Sequence, residues 1–89
     1  MRAVITVIGK DGKGIIAKVA GKCCEYGANI SDITQSVLKE YFAMIMLVEC
    51  DGLSVPFTDF AQALAELGGE NGLEIRTMHE DIFNSMHRI

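Results

Sequence analysis

No apolar run in this 89-residue sequence approaches the roughly 18 residues needed to span a bilayer, so no membrane-spanning helix is expected. The start, Met1-Arg2-Ala3, leads straight into strand-like sequence without a signal-peptide cleavage pattern, which points to the cytoplasm. Cysteine is scarce: Cys23, Cys24 and Cys50 make an odd set with two neighbours, which excludes the even disulfide framework of small secreted proteins. Basic residues are outnumbered, 8 Lys and Arg against 12 Asp and Glu, and the net charge of -4 argues against nucleic acid as a partner. Linkers and low-complexity segments are also missing, so residues 1–89 read as one domain. Hydrophobic residues make up 49% and charged residues 22%, the balance of a folded protein and not of a disordered one.

What is present alternates between short strands and amphipathic helices. Residues 2 to 8 are rich in β-branched side chains and apolar on both faces, the pattern of a central strand. Ile15, Ile16, Val19, Ala20, Cys23 and Cys24 then recur at helical spacing, with Lys18, Lys22 and Glu25 opposite, until Gly27 ends the helix. Asn29 to Leu38 mixes apolar and polar residues as an edge strand does, and Lys39-Glu40 supplies a hairpin turn. Tyr41 to Val48 is an unbroken apolar run, which predicts a strand buried on both faces. Pro56 suits the first turn of a second helix striped by Phe57, Phe60, Ala61, Leu64 and Leu67, with Gly68-Gly69 expected to stop it. Leu73 to Glu80 reads as the last strand, and Ile82, Phe83, Met86 and Ile89 as a short helical tail.

The order β, α, β, β, α, β, with right-handed crossovers and both helices on one face, gives an α+β ferredoxin-like sandwich of antiparallel sheet order 4-1-3-2. The two strands placed centrally by this topology are the two without polar alternation. Two helices cover only one sheet face, so the tail, a second subunit or both are needed over the other. A homodimer or a higher even oligomer is the expected state.

Glycine and charge are concentrated in one stretch, Gly9 to Lys18, which joins the first strand to the first helix. A phosphate-binding P-loop is excluded because Ile15-Ile16 stand where Lys and Ser or Thr are required, and the spacing of Gly9, Gly12 and Gly14 reverses the dinucleotide fingerprint. A thiolate metal loop would put cysteines where Asp-Gly-Lys-Gly stands, so Cys23 and Cys24 read as packing residues. Acyl-phosphate hydrolysis would need an arginine in this loop, and the arginines are Arg2, Arg76 and Arg88. His79 and His87 come late and show no ligand or nucleophile spacing. No catalytic residue, metal site or cofactor is therefore assigned. A backbone site remains, because the first amides of a helix point outward at its positive end and can bind a carboxylate. On chemistry alone, Asp11 capping the helix with Gly12 and Gly14 making the turn explains the same residues, and both readings stay open.

The stretch GKDGKGIIAKVAGKCCEYGANISDITQ resembles the ACT domain signature: an aspartate or asparagine, two residues, a glycine, an aliphatic helix, then G-x-N-I opening the second strand. The resemblance covers the whole chain and extends to small stand-alone ACT proteins and to regulators of the glycine-cleavage-repressor type. It implies a non-catalytic regulatory module that binds an amino acid or similar small metabolite, commonly between paired domains. By that resemblance Asp11, Gly12, Lys13, Gly14 and Ile15 fall on the family's first loop and helix start, and Asn29 and Ile30 on its second-strand start. Lys13 stands where proline is common and Asp11 where amino-acid binders often carry asparagine; a carboxylate at position 11 prefers a ligand's ammonium group. The alternative is a protein-protein interaction module without a small ligand, docking a regulated partner through its sheet face or edge.

Overall fold

The computed structural model describes residues 1–10 and 13–86. The elements are β1 (Arg2–Gly9), α1 (Ile15–Tyr26), β2 (Asn29–Leu38), β3 (Tyr41–Glu49), α2 (Phe57–Glu70), β4 (Glu74–His79) and α3 (Glu80–Met86). One antiparallel sheet runs β2-β3-β1-β4, the expected ferredoxin-like order. β1 is central because it pairs with both β3 and β4, from Arg2 opposite Glu49 to Gly9 opposite Phe42 on one side and from Ala3 opposite His79 on the other.

α1 and α2 lie on one face and make the core with the inward side chains of that face. From the sheet come Ala3, Ile5 and Val7 of β1, Met44, Met46 and Val48 of β3 and Ile75 of β4. From the helices come Ile15, Val19 and Cys23, spaced four apart on α1, and Phe60, Leu64 and Leu67 on α2. That spacing sets all three side chains of α1 on a single stripe, which is why the helix seats flat on the sheet. Tyr26 meets the Phe60 ring edge-on, with centroids 6.1 Å apart, and joins the C-terminal end of α1 to the first turns of α2. Lys39 takes the first position of the β2–β3 turn at φ 57, so a two-residue connection suffices for the hairpin.

Three boundary expectations are corrected. α2 runs through Gly68 and Gly69 to Glu70 instead of stopping at them. Gly68 is there for packing: a Cβ would lie 2.7 Å from the Leu73 carbonyl oxygen and 2.9 Å from Ile75, so only glycine lets the end of α2 press onto β4. The last strand begins at Glu74 and ends at His79, because Leu73 is drawn into the core by the turn and the chain is already helical at Glu80.

β3 is not buried on both faces in the single chain. Met44 and Met46 are sealed beneath the helices, whereas Tyr41 and Ile45 on the other face are 49% and 45% exposed. Two helices leave that face open, and α3 covers it only over β1 and β4. The expected tail is thus α3, tied down by Arg2 Nη2 against Glu80 Oε2 at 2.6 Å; Ile89, its last expected apolar residue, and His87 lie outside the described residues.

Candidate functional site

The β1–α1 turn ends at Gly14, which stands at the N-terminus of α1 with φ 74 and ψ -2. This left-handed conformation is inexpensive only for glycine, and a Cβ at this position would meet nothing within 4 Å among the described residues. Conformation, not crowding, is therefore what requires Gly14. The first helical bond runs from Lys18 N to Gly14 O at 3.3 Å, so the amides before it have no intrahelical acceptor. No acidic side chain lies in the first turn of α1, and Lys10, Lys13 and Lys18, near it in sequence, are exposed. The field of this helix end is positive and suits a carboxylate.

The candidate residues separate into three groups. Lys13 and Gly14 are exposed at the helix start, while Ile15 as a whole residue is 1% exposed and belongs to the core, so the single chain offers a ligand the backbone of Lys13 and Gly14 and not that of Ile15. Asn29 and Ile30 open β2, with Asn29 exposed opposite Glu49 and Ile30 half-buried opposite Val48, just before a bulge that carries Ser31. Asp11 and Gly12 lie outside the described residues.

The first two groups are far apart in one chain. Asn29, Glu49 and Arg2 align at one end of the sheet, and Gly9, Phe42 and Val37 at the other. Seven residues at about 3.3 Å each put these ends about 23 Å apart. α1 spans the same gap, 12 residues from Ile15 to Tyr26 or about 18 Å. Sequence proximity to one helix concealed this, since Gly14 precedes α1 and Asn29 follows it.

Other concavities occur among the described residues, one of them an open groove between α2 and β4 beside Phe57, Ala61 and Met78. A shallow polar cleft between α1 and α2 is bridged by Lys18 Nζ donating to Asn71 Oδ1 at 2.6 Å, with Asn71 Nδ2 donating to the Leu67 carbonyl at 2.7 Å. A more apolar pocket sits on the open sheet face against α3. Its charged rim, Glu74 and Arg76, escaped the sequence reading; the alternation of β4 placed both on one face, but only the fold of α3 makes that face a wall.

Cys23 and Cys50 are buried in the core, and burial pushes the Cys23 thiol up to about 11. The expectation that Cys24 packs is corrected: it lies one residue past the Ile15–Val19–Cys23 stripe and is exposed. His79 Nδ1 accepts the Asp81 N–H at 3.0 Å and shapes the turn from β4 into α3.

The ACT domain model matches residues 2–78. A UPF0237 protein of Methanopyrus kandleri is 42% identical over 88 residues, 99% of this chain and 98% of its own length. The solved structure of an ACT domain protein from Streptococcus pneumoniae is 42% identical, with 93% of each chain covered and a TM-score of 0.81. A structure described as a glycine cleavage system transcriptional repressor is 26% identical over 89% of this chain and 47% of that one, with a TM-score of 0.71. The chain belongs to the ACT domain family, whose members are regulatory modules that bind small molecules.

Proposed function

We propose that this chain is a non-catalytic cytoplasmic regulator that binds an amino acid or a similar zwitterion at the β1–α1 turn, in a site completed by Asn29 of a second copy. The observation that carries it is the start of α1, where the first turn has amides without intrahelical acceptors and no acidic side chain, beside the exposed, left-handed Gly14. A ligand carboxylate would take those amides. Asp11 and Gly12 belong to the same loop by sequence, and the Asp11 carboxylate suits the ammonium group.

The second copy follows from the 23 Å gap and from β2. Among the described residues this strand has no neighbour on its outer side, and every residue from Ser31 to Leu38 is exposed. Native proteins rarely leave so long an edge unprotected, because its unpaired backbone groups invite another strand. Pairing β2 antiparallel with its own copy about Gln35 sets Ile33 of one chain opposite Val37 of the other, and it opposes no like charges. It also turns one copy end for end, so Asn29 of one arrives at the end where the other's Gly14 lies. The exposed area agrees: 5591 Å² for the single chain, against about 5,100 Å² for a compact monomer of this mass.

Calorimetry with the common amino acids tests the proposal. Asn29→Ala is expected to weaken binding by about 1 to 3 kcal/mol, the effect of an unsatisfied buried partner. Gln35→Pro, which removes an N–H from the edge, is expected to abolish dimerisation and binding together. Tight binding unaffected by Asn29→Ala would overturn the site, and a monomer that binds fully would overturn the role of the second copy. Failure of every metabolite to raise the melting temperature would leave the interaction-module reading in its place.

A further inference from the structure

The pocket on the open sheet face has a volume of about 450 Å³, within the range of small-molecule sites. Its floor is two cross-strand rows over β3, β1 and β4: Ala43, Ile8 and Glu74 in one, and Ile45, Thr6 and Arg76 in the next. Phe83 and Met86 of α3 supply the apolar wall. α1 and α2 lie on the other face of the sheet, so this pocket is separate from the β1–α1 turn.

Its rim carries an unusual pairing of charge. Arg76 donates through both Nε and Nη2, at 3.0 and 2.8 Å, to the same oxygen of Glu74, Oε1. Among the described residues nothing else holds Glu74 Oε2 or Arg76 Nη1. The rim therefore offers a carboxylate oxygen and guanidinium donors side by side, without the mutual pair having to break. A purely hydrocarbon occupant would fill the apolar floor but has no use for both charges at one edge. An α-amino acid does, since its ammonium and carboxylate groups leave the same carbon as its side chain.

We propose that this pocket is a second ligand site, for an α-amino acid with an apolar side chain of leucine or phenylalanine size. The ammonium group takes Glu74 Oε2, the carboxylate takes Arg76 Nη1, and the side chain lies on Ile8, Ala43 and Ile45. This goes beyond the site proposed above and is independent of it. Both rim residues are well solvated, with side chains 60% and 66% exposed, so affinity in the millimolar range is expected.

Amide chemical-shift titration of the full chain with L-phenylalanine, 3-phenylpropionate and phenethylamine, each to about 10 mM, tests it. Saturable shifts at Ile8, Ala43, Ile45 and Arg76 with L-phenylalanine are expected, and at least about tenfold weaker binding of the two singly charged analogues. Ala43→Phe, which fills the floor, should abolish these shifts, and Arg76→Gln, on an exposed position that does not threaten the fold, should weaken them. Asn29→Ala should leave them unchanged, which separates this site from the one at the β1–α1 turn. The proposal is overturned by any of four results: no saturation, equal binding of all three probes, shifts confined to Lys13–Ile15 and Asn29–Ile30, or a self-association through this face that Ala43→Phe disrupts.

Discussion

The two faces of the central strands β1 and β3 end in different states, with Val4, 4% exposed, the buried exception on the open side. On the helix side Ile5, Val7, Met44 and Met46 are at most 1% exposed; on the open side Ile8 and Ile45 are 53% and 45% exposed. Residue type does not distinguish them, because isoleucine stands on both. The difference lies in what each face meets: α1 and α2, whose apolar stripes match the strand spacing, or α3, seven residues long with none buried. Burial is what turns apolar sequence into stability, and an apolar face without cover becomes a surface for binding.

The largest break in this comparison comes from truncating the same kind of side chain on each side. Ile5→Ala, fully buried on the helix face, is expected to cost about 2 to 5 kcal/mol in urea unfolding, and Ile45→Ala on the open face less than about 1. Equal losses would mean that the open face is covered as well as the helix face. Adjacent glycines of α2 give a finer cut. Gly68→Ala should destabilise by about 1 to 3 kcal/mol because its Cβ meets β4, while Gly69→Ala, with nothing within 4 Å, should stabilise by up to about 1.

The thiols test the same contrast through pH. With its folded-state pKa raised from 9.0 to about 11, Cys23 keeps its proton in the folded protein while the unfolded chain has begun to lose it. The stability this contributes is complete below about pH 9 and falls as pH rises toward 11, by at most about 1.4 kcal/mol per unit. Urea midpoints at pH 8 and 10.5 should therefore differ more in the wild type than in Cys23→Ala. At pH 8, alkylation should mark exposed Cys24 and spare Cys23 and Cys50, as mass spectrometry would record. The smallest effect is expected from Glu80→Ala, which frees α3 from Arg2: less than about 1 kcal/mol in global stability, with faster hydrogen exchange confined to Glu80–Met86.

Much of the architecture was legible because local patterns and topology agreed. The period of four in Ile15, Val19 and Cys23 marked the inner stripe of α1, the polar mixture of Asn29–Leu38 marked an edge, and Lys39-Glu40 marked the turn between strands. The end of α2 was misread because Gly68-Gly69 looks like a helix stop by propensity, and only the approach of β4 shows that the missing side chain is a packing requirement. The candidate site was half legible. Gly14 announced a turn that needs positive φ, but nothing local to Asn29 reveals which end of the sheet it occupies.

By itself the sequence determined the order of the elements, the sheet topology and the side of each helix that turns inward, since these follow from short-range periodicity and the handedness of crossovers. Only the tertiary structure decided which apolar face of β1 and β3 became core, how far Gly14 stands from Asn29, and that Glu74 and Arg76 rim a pocket. Those are relations between residues tens of positions apart, and they exist only once the strands pair in register and α3 folds back across the sheet.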